Sequence, residues 1–80
     1  MNNIQIFKYE NNDVRTVEMN SEPWFVLKDV CAVLGLTDTG RTAERLDADE
    51  LTRTTLVSGG QNREMYIINE SGLYNVILRS

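Results

Sequence analysis

Residues 4–9, IQIFKY, alternate apolar and polar side chains and favour aromatic and β-branched types, the pattern of a half-buried strand. Asn11, Asn12 and Asp13 follow as a polar, turn-prone cluster. VRTVEM at 14–19 then alternates again, with Val14, Thr16 and Glu18 opposed to Arg15, Val17 and Met19, so the two segments predict a hairpin. Ser21, Glu22 and Pro23 are expected to break the second strand. The short apolar run Trp24, Phe25 and Val26 fits either a third strand or the lead-in to a helix.

From Leu27 the period becomes helical. Leu27, Cys31 and Leu34 share one face with Val30 and Val33 beside them, and Lys28 and Asp29 point outward. Gly35 suits the left-handed position just past a helix end. Thr37, Asp38 or Thr39 can cap a second short helix running to about Leu46, which packs through Ala43 and Leu46 and shows Arg41, Thr42, Glu44 and Arg45 on its other faces. Asp47 to Glu50 read as a solvated acidic loop, and LTRTTLV reads as a strand with Leu51, Arg53, Thr55 and Val57 on one side. Ser58 to Asn62 form a hairpin tip, and REMYIIN returns with Met65 and Ile67 opposed to Tyr66 and Ile68. Asn69 or Ser71 can cap a last helix holding Leu73, Tyr74, Val76, Ile77 and Leu78.

The resulting fold class is α+β: small antiparallel hairpins packed with a helix-turn-helix-like pair and a C-terminal helix. That last helix is apolar on nearly all sides, yet the sequence stops at Ser80. The expectation is a domain shortened at its C-terminal end, or a homodimer in which a second copy covers the exposed face.

Eighty residues bound the chain to one domain, 1–80, burying only about 60 % of its unfolded surface. The apolar fraction of 41 % and charged fraction of 25 % are those of a folded globular protein. One cysteine and no histidine exclude a disulfide framework and leave too few soft ligands for zinc or haem, so no metal and no cofactor are expected. The first residues lack the pattern of a secretory signal, and no stretch approaches the ~20 apolar residues of a membrane span. A cytoplasmic chain with no membrane partner follows.

The net charge of −4 opposes non-specific DNA binding, which lysine and arginine drive by releasing counterions from phosphates. The local distribution is uneven, however. Lys28, Arg41 and Arg45 fall in LKDVCAVLGLTDTGRTAERL, whose helix, glycine-containing turn and helix is the arrangement that places a second helix in the major groove. As a DNA reader, this segment offers Arg41 and Arg45, one turn apart, to guanine edges or phosphates, with Thr39, Thr42 and Lys28 adding backbone contacts. Composition by itself favours the plainer alternative, a solvated helix whose arginines pair with Asp38, Glu44 or Asp49.

Other candidates reduce to structure. Cys31 has no histidine to activate it and lies on an apolar face. Asp47, Asp49 and Glu50 lack the spacing of a calcium loop. Ser58, Gly59 and Gly60 are flanked by strands rather than by the strand and helix of a phosphate cradle. Trp24, Phe25, Tyr66 and Tyr74 are expected in the core, because so small a domain has few other large side chains. With no nucleophile–base pair, a binding protein is expected and an enzyme is not.

EPWFVLKDVCAVLGL and INESGLYNVILRS resemble, in order and approximate spacing, the hallmarks of the Bro-N domain of phage and prophage antirepressors and viral BRO proteins, and VRTV resembles that family's second strand. The joint occurrence of WF, KDVC, LG and NESGLY is specific, and the resemblance covers nearly the whole chain. It implies an α+β fold, DNA binding, and attachment in full-length proteins to a variable C-terminal domain. Trp24, Phe25 and the run Asn69 to Tyr74 match its fold signatures, and the segment after LG matches its variable recognition region. The chain departs from the family in its acidity and in lacking the basic, aromatic helical continuation past LRS. The resemblance implies a transcription regulator that binds operator DNA. The rival expectation is a module that sequesters a repressor protein without touching DNA, its acidic surface mimicking the nucleic acid.

Overall fold

The computed structural model describes residues 4–9 and 12–79. It is an α+β fold: strands β1 (Ile4–Tyr9), β2 (Asn12–Met19) and β3 (Glu22–Val26), helices α1 (Leu27–Leu34) and α2 (Thr39–Glu44), strands β4 (Leu51–Ser58) and β5 (Gln61–Ile68), and helix α3 (Glu70–Arg79). The strands form one antiparallel sheet in the order β1-β2-β3-β5-β4. Among the described residues the strand meander β1–β3 and the hairpin β4–β5 pair where β3 meets β5, at Phe25 opposite Ile68 and Val26 opposite Ile67.

Alternation along the strands separates two cores. On the helical face, Val14, Leu27, Val30, Cys31, Ala43, Ile68 and Val76 are buried, with Phe25, Leu34, Leu46 and Leu73 packed around them. On the other face Val17, Val26, Leu56 and Ile67 are buried under Met19, Trp24 and Met65. Among the described residues, all members of this second cluster lie on strands. Trp24 and Phe25, adjacent in β3, therefore serve opposite faces, one in each core.

Several expectations are corrected. Asn12 and Asp13 belong to β2, opposite Tyr9 and Lys8, rather than to a turn; Asn11 lies outside the described residues. The break after β2 falls at Asn20 and Ser21, whose positive φ angles of 52° and 63° make a two-residue turn with the twist hairpins favour. Glu22 and Pro23 lie inside β3. Met19 opposite Glu22 closes that turn, so Pro23 opposite Glu18 is the next, non-hydrogen-bonded pair, and its missing N–H faces the side that β5 does not reach. The run Trp24–Val26 is both strand and lead-in, since Val26 ends β3 and occupies the N-cap position of α1. Tyr66 and Tyr74 are exposed rather than core residues.

Asp29 does not point outward to solvent. In the β2–β3 register the next partner of Arg15 would be Val26, but that residue is the N-cap of α1 and the β2–β3 pairing ends at Thr16 opposite Phe25. The Asp29 carboxylate takes the vacant place, accepting from the Arg15 backbone N–H at 3.0 Å, from its Nε at 2.8 Å and from a terminal guanidinium nitrogen at 2.9 Å. This forked contact fixes the start of α1 against the sheet. Burial pushes the Asp29 carboxyl up, but the Arg15 side-chain and backbone hydrogen bonds, aided by the charges of Arg15 and Lys28, outweigh it and hold the group below its ordinary value.

Candidate nucleic-acid interface

Helix α1 ends in a complete glycine cap. Gly35 is left-handed (φ 74°), its N–H donates to Ala32 O, and the Leu36 N–H donates to Cys31 O at 2.8 Å. The turn delivers Asp38 as the N-cap of α2, its Oδ1 accepting from the Arg41 N–H at 2.9 Å. Ala43 is buried and Leu46 packs beside it, so α2 is held by the two residues the sequence picks out. The helix is shorter than expected, ending at Glu44. Arg45 is its C-cap and stays in right-handed helical conformation, its N–H bonding back to Thr42 O in a tightened last turn.

Arg41 and Arg45 are both exposed. Among the described residues the ion pairs are Arg15–Asp29 and Arg53–Glu64, so neither α2 arginine has the carboxylate partner that the solvated-helix alternative required. Thr39 and Thr42 are half-buried, and the Thr42 hydroxyl donates to Asp38 O at 3.0 Å, leaving its lone pairs for a further donor. Lys28 is exposed in the first turn of α1, at the opposite end of that helix from the turn into α2. The five candidates thus divide into a cluster on α2 and an outlying lysine.

The tertiary structure adds a residue that the sequence reading did not single out. Between α2 and α3 a crevice of about 40 Å³ is lined by Leu36, Thr42, Arg45, Leu46, Asn75, Val76 and Arg79. Arg79 comes from the far end of the chain, and only the i, i+4 spacing of Asn75 and Arg79 hints at a local interaction. Its Nε donates to Asn75 Oδ1 at 3.0 Å.

Helix α3 is latched to the α2–β4 loop by the NESG run. Asn69 caps the helix through Oδ1 to the Gly72 N–H (2.9 Å), while its Nδ2 donates to Asp49 O (3.0 Å) and its backbone N–H to Glu50 O (3.1 Å). Glu50, expected in a solvated loop, is instead buried. Its carboxylate accepts from the Ser71 hydroxyl at 2.7 Å, from the Asp47 N–H at 3.1 Å and from Asn75 Nδ2 at 3.2 Å. A carboxylate can satisfy its lone pairs inside a protein only with such donors.

The Ser71 hydrogen bond, then the Asp47 N–H, Asn75 and the Arg79 charge hold the Glu50 carboxyl below its ordinary value against the effect of burial. A depressed carboxyl stabilises the fold above its unfolded pKa and loses that contribution as pH falls through the folded one. Asp29 has the same sign. The domain should therefore lose stability from about pH 5 downward. Urea titrations across this range should show the acid loss shrinking in Glu50→Gln and in Asp29→Asn; an unchanged slope in both variants would contradict the assignment.

On the other side of α3, an apolar groove of about 470 Å³ runs between α1, α3 and the sheet, walled by Phe25, Val30, Val33, Leu73, Tyr74 and Ile77. Tyr74, Ile77 and Leu78 are exposed, with Leu78 84 % accessible, so the outer face of α3 is uncovered in the single chain. Among the described residues no group of three or more His, Cys, Asp or Glu side chains is placed to hold a metal ion, and no helix is long and apolar enough to cross a membrane.

The family model for the N-terminal domain of the BRO family matches residues 13–80. No curated protein and no solved structure matches the chain.

Proposed function

The chain belongs to the BRO family through its N-terminal domain, Bro-N, and we propose that it serves as an antirepressor-type transcription regulator of a phage or prophage, binding operator DNA in the cytoplasm of the bacterial host. The observation that carries this reading is the pair Arg41 and Arg45, one turn apart, exposed, and outside the ion pairs of the described residues, in α2 and at its C-cap after the glycine turn. Guanidinium groups so placed can fork onto a guanine edge or a phosphate, and α2 at about 1.5 Å per residue is long enough to present one such turn to a groove. Thr39 and Thr42 at the start of α2 and Lys28 on α1 add contacts to the backbone. The action is binding, without bond chemistry. The net charge of −4 confines favourable electrostatics to this patch and makes weak affinity in high salt the expected behaviour.

Fluorescence anisotropy with operator and random duplexes across a salt series tests the reading. Binding should weaken steeply with salt and favour the operator, and each of Arg41→Ala and Arg45→Ala should cost about 1–3 kcal/mol where the arginine reads a base. Absence of duplex binding at low salt would refute it.

The apolar groove favours a second reading, in which the domain holds a repressor protein or a second copy of itself. A repressor-binding module would keep its partner when Arg41 and Arg45 are both replaced by alanine. A monomeric mass by light scattering at high protein concentration would exclude the homodimer.

A further inference from the structure

We propose that Arg45 and Arg79 form a phosphate clamp across the α2–α3 crevice, with Asn75 as the positioning residue for Arg79, an assignment that deepens the DNA-binding reading and rests on it for the source of the phosphate. The two arginines come from sequence positions 34 apart and line one crevice whose walls contain no carboxylate, in a chain with a net charge of −4. Like charges gathered on one concavity suit an anion, and the nearest carboxylate, Glu50, sits behind Asn75 rather than on the crevice walls. Thr42 and Asn75 add polar groups at the same walls.

The size selects the ligand. A water needs about 10–15 Å³ of such volume, so a crevice of about 40 Å³ takes a few oxygen-sized atoms, the outer oxygens of a phosphate, and excludes a nucleobase. The clamp therefore adds affinity and fixes orientation without reading sequence, as phosphate contacts do.

Arg79, although exposed, has a side-chain partner on its own helix. Asn75 Oδ1 holds its Nε at 3.0 Å, and the same amide donates through Nδ2 to Glu50 Oε1 at 3.2 Å. Glu50 is in turn held by Ser71 and the Asp47 N–H. The buried carboxylate thus fixes the amide's orientation, so that its oxygen faces Arg79, and the hydrogen bond to Nε lowers the cost of ordering this side chain on binding. This gives Asn75, three residues past the NESG run, a role beyond packing.

The probe is inorganic phosphate, followed by nuclear magnetic resonance of the labelled chain, alongside the duplex salt series. Phosphate should shift the amide signals of Thr42, Arg45, Asn75 and Val76 saturably, and Arg79→Ala should abolish those shifts while Arg63→Ala, on the β4–β5 hairpin, leaves them intact. On DNA, Arg79→Ala should weaken operator and random duplexes alike and lower the salt slope by about one. Asn75→Ala should displace the Arg79 Nε–H resonance and move phosphate saturation to higher concentration. Phosphate shifts that are absent, or that persist unchanged in Arg79→Ala, would overturn the clamp. Duplex binding that depends on Arg41 but not on Arg79, with no phosphate shifts, would overturn it while leaving the DNA reading standing. Phosphate shifts lost in Arg79→Ala, in a chain that binds no duplex, would support the clamp as a site for free phosphate and remove the DNA reading.

Discussion

Ile68→Ala is expected to lower the unfolding free energy by about 2–5 kcal/mol, the range for deleting a large side chain from a packed core. Ile68 is fully buried and belongs to the helical core, and it stands opposite Phe25 at one of the two residue pairs that join β3 to β5. The loss therefore combines a cavity beneath the helices with weakening of the narrowest part of the sheet. An 80-residue domain has roughly 4–12 kcal/mol in total, so this single change removes a large share of it. The adjacent Ile67→Ala, which empties the other core, should be comparably damaging because Ile67 is equally buried and lies at the second joining pair. Urea denaturation by circular dichroism measures both; a loss below about 1 kcal/mol for either would show that the join is not where the two cores depend on each other.

Gly72→Ala should destabilise by about 1–3 kcal/mol. In an ordinary exposed helix the same change stabilises, by about 1 kcal/mol, because glycine loses the most backbone freedom on folding. Here the sign should invert. A Cβ on Gly72 would stand 3.0 Å from Glu50 O, 3.2 Å from Ile68 Cβ and 3.3 Å from Glu50 Cβ. None of these atoms is the far end of a flexible side chain. Glu50 O already accepts the Asn69 N–H, and Ile68 is locked in the sheet join. Relief requires α3 to move off the α2–β4 loop, which would loosen the Ser71 and Asn75 contacts to Glu50. A higher melting temperature for the alanine variant would refute this account of the close approach.

The signature residues of the family thus have separate physical tasks. The WF pair sends one aromatic to each core, and the NESG run caps α3 while docking it onto a buried acid. Both tasks are structural, as the resemblance implies for these residues. The untouched surface of α2 and the crevice behind it are where substitutions should alter binding without altering stability.

Much of the architecture is legible from local pattern. The period change at Leu27, the left-handed Gly35, the Asp38 and Asn69 caps and the glycine-bearing β4–β5 turn are all dictated by interactions within a few residues. The turn after β2 is less legible, because a proline reads as a strand breaker until the sheet shows that its nitrogen faces a side without a ladder partner. Tyr66 and Tyr74 mislead for a related reason: alternation and helical spacing assign them a face, but not whether another layer covers it.

By itself, then, the sequence determined the elements, their order, the α+β class, the family and the placement of Arg41 on a short capped helix that Arg45 ends, since each of these follows from hydrophobic period, capping and motif. Only the tertiary structure decided which acids are buried, that Asp29 fills the ladder position next to Arg15, that Glu50 anchors α3, and that Arg79 reaches the crevice beside Arg45. These depend on contacts between residues 14 to 34 positions apart, and no local period or motif encodes how far apart in sequence two charges can be and still share one cavity.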